Sequence, residues 1–415
     1  MYRVIFFVII MAILFPNIIV AGGISELKDL KIAFIRDGDL WTLVNGEEKQ
    51  ITNTGRVYPT LQWSHDGTWL AYQIENSSEA QDNGQQVEVW AYHIESGVKK
   101  KIFYDGYSPS WSPSKNVIAF NAKGILNISN FKRFYNMATG VDSYTWLPDG
   151  SGFLLSSAGV LRPDGWTSAI LYTKKVNESY DDIILFGGVD HFFTLPKEIG
   201  INKKKIIAIY ADNFEFSPSN KWISFIVSPT ASWSMDSNML CVISREGEKF
   251  EVLDEVIFGV GEPKWAPTKD IIAYIAGGGR IVFGFKDKDL KIKEMPVSGS
   301  LTPQNYTELD FTWINDHSIV TSRVKEKEWS NDFNEHPLPS LYSVNIDNNK
   351  QERISKPPVG FGDYNPMSIQ SAKKLIWFRG KSITDENRDI WISDTNGANA
   401  KKWLENIDVI TLYDE

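Results

Sequence analysis

Short apolar runs recur along the chain and do not alternate with polar residues. They include Leu70-Ala71-Tyr72, Val117-Ile118-Ala119-Phe120, Trp222-Ile223-Ser224-Phe225-Ile226-Val227, Ile271-Ile272-Ala273-Tyr274-Ile275 and Leu375-Ile376-Trp377-Phe378. A strand with one wet face alternates apolar and polar side chains; a run apolar throughout is covered on both faces. Each run follows the same lead-in. An aromatic residue (Trp63, Trp111, Trp146, Phe216, Trp265 or Trp313) closes a preceding strand. A Ser-Pro or Leu-Pro often follows and ends it, because proline gives no hydrogen bond to a ladder. Asp-Gly, Asn-Lys or Thr-Lys then makes the turn, since Gly and Asn accept the positive φ of a tight hairpin. The unit is therefore strand, turn, covered strand.

The aromatic recurs at a spacing of about 48 residues from Trp63 to Trp111, from Phe216 to Trp265 and from Trp265 to Trp313, which is the length four short strands and their turns require. Small four-stranded sheets stacked radially cover each other's faces, so the pattern predicts an all-β chain folded as a single β-propeller of four-stranded blades. One N-terminal blade plus seven copies of the unit, the last a worn Pro366-Met367-Ser368-Ile369, gives eight blades, with seven as the alternative. The N-terminal blade begins with Lys31-Ile32-Ala33-Phe34-Ile35-Arg36 and lacks an innermost strand, while Ile407 to Tyr413 is a strand left over. Pairing the two closes the ring and removes its open edge. The long step from Trp146 to Phe216 carries an insertion within Asp181 to Ala211; which of its apolar segments is the blade's outer strand stays open.

The unit Pro59-Thr60-Leu61-Gln62-Trp63-Ser64-His65-Asp66-Gly67-Thr68-Trp69-Leu70-Ala71-Tyr72, with pieces such as Asp389-Ile390-Trp391-Ile392-Ser393-Asp394-Thr395-Asn396-Gly397, resembles the TolB-like (WD40-like, PD40) propeller repeats. The resemblance covers nearly everything after residue 28. It implies closure of the ring by the C-terminal strand. It does not fix an activity, because such propellers serve binding proteins, peptidase side domains and glycan enzymes alike. The α/β domain that precedes the propeller in TolB has no expected counterpart here.

Arg3, the apolar run Val4 to Phe15 and the small-residue exit at Ala21-Gly22 read as a signal peptide over 1–22, leaving the propeller as 23–415. An uncleaved membrane anchor is the rival reading and the only route to a membrane. Cys241 is the single cysteine, so no intrachain disulfide forms; it reads as a buried strand residue in a protein of a bacterial envelope. A net charge of -9 gives no support to nucleic-acid binding.

Motifs for chemistry are sparse. There is no Gly-x-Ser-x-Gly elbow, no His-Glu-x-x-His and no cysteine pair for zinc. No cofactor or metal is expected. Gly277-Gly278-Gly279 reads as a tight hairpin joining Ala273–Ala276 to Arg280–Phe283. The loops between second and third strands are long and carry exposed-type aromatics and charges, so they are the candidate partner-binding surface. The residues singled out are Arg162, Asp164, Trp166, Trp233, Asp236, Trp329, Phe333, His336 and Arg379. The expected function is a non-enzymatic, extracytoplasmic binding or scaffold protein, monomeric, recognising an envelope protein or a glycan. The alternative is a secreted carbohydrate- or peptide-active hydrolase or lyase that uses carboxylates in the propeller channel.

Overall fold

A computed structural model describes residues 30–413 except 77–85, 177–186, 231–236, 258, 280–284, 296 and 386. The signal segment read in 1–22 therefore lies outside the described residues. Eight four-stranded antiparallel sheets form an eight-bladed propeller. Blade 2 shows the plan: Val57–Trp63 is innermost, followed outward by Trp69–Asn76, Gln86–His93 and Lys99–Phe103. The worn seventh copy is complete, giving blade 8 as Gly362–Ile369, Lys374–Gly380, Arg388–Asp394 and Lys401–Ile407. Among the described residues no helix is long and apolar enough to cross a membrane.

The covered runs are the second strands. Ile271–Ala276 is buried at every position, and so is the third strand Asn238–Ser244, which holds Cys241. Each large aliphatic side chain among them, such as Ile271 or Val242, contributes about 1.5–3 kcal/mol when taken wholly out of water. The repeated aromatics add a directional contact between blades. The indole N–H of Trp111 donates to the Gln62 carbonyl at 3.0 Å, that of Trp146 to Ser110 at 3.2 Å, and that of Trp313 to Lys264 at 3.1 Å. In each case the acceptor lies one residue before the preceding blade's own aromatic. Trp265 donates to the Ser224 hydroxyl at 3.0 Å.

Blade 1 is composite. Val409–Tyr413 pairs antiparallel with Lys31–Arg36, with Lys31 opposite Tyr413 and Ile35 opposite Val409. The ring thus closes as expected. In the long middle step, Val189–Thr194 is the outer strand of blade 4. The extra material is a hairpin, Glu198–Ile201 with Lys204–Ile207, on the way to blade 5.

One expected turn is corrected. Ile271–Ala276 pairs with Asp289–Glu294, so the glycines do not join it to its ladder partner as a tight hairpin; Arg280–Phe283 lies outside the described residues. Gly277-Gly278-Gly279 therefore opens a long loop. Leu290 is buried and Ile292 half-buried, both packed in one apolar cluster with Ile271, Ala273 and Ile275.

Candidate functional site

Within each blade, the loop joining the second and third strands shares a face with the blade-to-blade connection. On this loop face the inner strands of several blades carry the same irregularity. The ladder slips between Tyr58 and Leu61, Tyr107 and Ser110, Asp212 and Glu215, Glu308 and Asp310, and Tyr364 and Met367. A bulge bends its strand and re-aims one side chain. Ser108, Asn213 and Asn365 take φ values of 50°, 52° and 48° there. Asn accepts that conformation more readily than most residues. Pro109 and Pro366 follow directly, where a ladder donor is already missing.

The bulged inner strands of blade 5 (Tyr210–Phe216), blade 7 (Tyr306–Asn315) and blade 8, with the inner strand of blade 6 (Lys264–Trp265) between them, bring polar groups together around the mouth of the channel. Asn365 donates to Asp310 Oδ2 at 3.0 Å, and Asp310 Oδ1 accepts from Lys264 Nζ at 3.4 Å and from the Phe311 amide at 2.7 Å. Arg388 Nη1 donates to Asn365 Oδ1 at 3.3 Å. Asn213 donates to Glu262 at 3.2 Å. A pocket of about 280 Å³ opens between Asp310, Asn365, Tyr364 and Arg388, roofed by Ile383 and Thr384 of the blade 8 loop.

Two groups in this setting are under-used. The Arg388 guanidinium lies over Phe378 at 4.4 Å, and its Nε is buried with no acceptor. Burial pulls the Arg388 pKa down, against the pull of Tyr364, Asp385 and Asp408. One oxygen of Asp212 is likewise buried without a donor. Burial pushes the Asp212 pKa up to about 7, with repulsion from Asp142 and Glu262 adding to it. Burial also lifts Glu215 to about 7 against the pull of Lys264. Glu215 has exposed surface, but the protein around it still disfavours its charged form.

Of the nine residues chosen from the sequence, the seven that are described are spread over different blades. Arg162, Asp164 and Trp166 lie on a two-rung hairpin of blade 4, Leu161–Arg162 with Gly165–Trp166; Arg162 and Asp164 are exposed and Trp166 half-buried. Trp329 and His336 meet in the blade 7 loop, ring centres 4.5 Å apart. Both pack on Phe285 of blade 6, parallel to Trp329 at 6.0 Å. Trp329 therefore folds across to the neighbouring blade. Phe333 begins a short 3-10 turn, Phe333–Glu335. Trp233 and Asp236 lie outside the described residues. Arg379 is a strand residue, 9% exposed, forked onto Asp363 at 2.6 and 3.0 Å and stacked on Trp391 at 3.9 Å. It braces the strand that carries Tyr364 and Asn365 from beneath.

The sequence reading missed Asp310, Asn365, Arg388, Asp212, Glu215 and Phe285. Pro366 and Pro109, just before the recurring apolar runs, were the available signal for the bulges. Phe285 was hidden by reading the glycines as a tight turn.

In sequence, the chain matches no family model and no curated protein. In structure it is similar to a eukaryotic initiation factor at a TM-score of 0.58 and 11% identity, over 93% of this chain and 88% of that one. It is similar to dipeptidyl peptidase 4 of Porphyromonas gingivalis at a TM-score of 0.56 and 10% identity, over 92% of this chain and 58% of the peptidase. TolB from Acinetobacter baumannii aligns over 64% of this chain and 61% of its own at 16% identity, with a TM-score of 0.37. The likenesses to the initiation factor and the dipeptidyl peptidase agree with the class, a β-propeller, and at such identities they show the fold alone.

Proposed function

We propose that this chain is a non-enzymatic binding protein, a TolB-like propeller acting outside the cytoplasm as a monomer, whose loop face takes a protein or glycan partner. The observation that carries the reading is the mouth pocket. Asp310 already has three donors, so it is built in rather than waiting. Arg388 has donors to spare, and among the described residues no carboxylate is hydrogen-bonded to it. The group that fits is therefore an oxygen acceptor, a carboxylate, carbonyl or hydroxyl, entering beside Tyr364 and Thr384. A buried cationic donor left unmet is costly, and a partner that meets it gains what the free protein lacks. The Trp329–His336–Phe285 stack and the blade 4 hairpin supply rim contacts.

The test is a crosslinking pull-down from envelope fractions with the mature propeller, beside a saccharide array. Arg388→Ala and a chain with 327–337 shortened are the two comparators. A partner or glycan held by the parent and lost by both supports the reading. Retention by both comparators removes the site assignment.

A second reading rests on one observation, the lifting of Asp212 and Glu215 to about 7. A carboxyl near that value can hold and release a proton at neutral pH, as a hydrolase or lyase acting on sugars or peptides requires. Turnover of a glycan or peptide by the parent, abolished in Asp212→Asn and Glu215→Gln, would establish it. Turnover unaffected by both changes would remove these two residues from any catalysis.

A further inference from the structure

On the opposite, turn face, blades 2 and 3 meet in a shallow groove of about 380 Å³ lined by Lys100, Lys101, Lys132, Arg133, Phe131 and Phe134, among other residues. No carboxylate lines it. The chain as a whole carries a net charge of -9, so four cations here form a local reversal of sign. Lys101 pairs with Glu88 at 2.7 Å. Among the described residues, no ion pair joins Lys100, Lys132 or Arg133 to a carboxylate.

The groove is preformed. Its far wall is the turn 130–133, where the Asn130 side chain accepts from the amides of Lys132 at 3.1 Å and Arg133 at 3.0 Å. Phe131 sits at a φ of 67°, a costly conformation for a bulky residue. It is held there by stacking on Trp69 of blade 2 at 4.4 Å. Lys100 lies over both rings, at 5.8 Å from Trp69 and 5.2 Å from Phe131. Strain of this kind persists only where the surroundings fix it, and it clusters at sites that bind. Here it points Lys132 and Arg133 into the same groove as Lys100.

Flat rings flank the cations. Phe131 and Phe134 line the groove, and Phe134 is 53% exposed and packs edge-on against Phe103 at 5.7 Å. Rings fixed from behind and open in front take the apolar face of a sugar ring.

We infer that this groove docks an anionic glycan, a polysaccharide bearing carboxylates, independently of the mouth pocket on the other face. The cations meet the acidic groups and the rings meet the sugar faces. An acidic peptide brings charge without flat apolar faces. A nucleic acid brings one charge per 3.4 Å of strand, a density that a chain of net charge -9 repels outside the groove.

The test measures binding of the full chain to carboxymethyl dextran, neutral dextran, polyglutamate and oligo-dT. Carboxymethyl dextran is expected to bind, and to do so better than the other three. Charge reversal of the two exposed positions, Lys132→Glu with Arg133→Glu, should weaken it about tenfold or more at low salt. Phe134→Ala should weaken it by a smaller factor with an unchanged salt slope. Both variants change exposed side chains, and a melting curve matching the parent's verifies folding. No binding of carboxymethyl dextran, or equal binding by polyglutamate or oligo-dT, overturns the proposal. So does charge reversal without effect, or Phe134→Ala binding as well as the parent.

Discussion

A single carboxylate ties the turn face of blades 2 and 3. Asp66 accepts from the Ser64 and Thr68 hydroxyls at 2.6 and 2.8 Å, from the Thr68 amide at 3.0 Å and from Asn116 of the next blade at 2.8 Å. Burial works to raise its pKa, but these hydrogen bonds outweigh burial and hold it well below the usual value of 3.8. The folded carboxyl stays charged where the unfolded one takes a proton. Its contribution is thus complete above 3.8 and drains away as pH falls below it. Melting curves should show Asp66→Asn losing less stability than the parent over that acid window. Asp212 behaves oppositely. Unfolded it ionises near 3.8, folded near about 7, so between those values the fold retains a proton the unfolded chain has released. Stability from this group falls as pH rises through that window and levels off above it. Asp212→Asn should melt higher than the parent at about pH 8 and gain nothing at about pH 4. At this scale the sequence was half informative. Asp66 was visible as a turn former, since Asp-Gly makes a hairpin locally. Its bond to Asn116 was not, because it depends on how one blade is rotated against the next.

Between blades, the repeated tryptophans act as staples and not merely as core filling. Trp111→Phe keeps most of the ring and removes the N–H that reaches Gln62, so it should cost about 1 kcal/mol in denaturant unfolding. Phe216 has no such N–H, so Phe216→Leu should register only as a packing change. Thiol labelling offers a simple check on the covered strands. Cys241 is wholly buried, and burial raises its thiol pKa well above the ordinary value. It should resist reagents in the native protein and react at the rate of unfolding. The strands, their order and the aromatic period were legible, because they follow from side-chain pattern and local turn chemistry. The bulges were not. Asn365 and Asn213 occupy positive φ within strands, a choice made by the crowding of inner edges around the channel. The loop opened by Gly277 misled the reading because a glycine run suits a tight turn and a long loop equally. Among the chosen binding residues, Arg379 shows the same limit. A polar residue after Leu375-Ile376-Trp377-Phe378 reads as the start of a loop, and only the partner strand reveals Asp363 facing it.

As a whole, the molecule depends on five residues from its far end. Removing Val409–Tyr413 would strip the inner strand from blade 1 and leave Lys31–Arg36 as an unpaired edge. Such an edge invites pairing with another chain. The truncated protein should elute as higher oligomers in size-exclusion chromatography and unfold over a broader range than the parent. Eight blades were legible from the count of units, because every blade repeats one local grammar. A binding site is not a repeat. It arises where unequal loops meet above the channel, and no single loop announces its neighbour. The seam in blade 1 has a mechanical side as well. Lys31 and Tyr413 stand opposite each other at the same end of the antiparallel pair, so tension applied through the two chain ends loads one rung at a time. The pair then peels from Lys31–Tyr413 toward Ile35–Val409, as a zipper does, in place of resisting in shear across all five rungs. Pulled by its ends, the ring opens at this one joint while the other seven blades are still bearing no load.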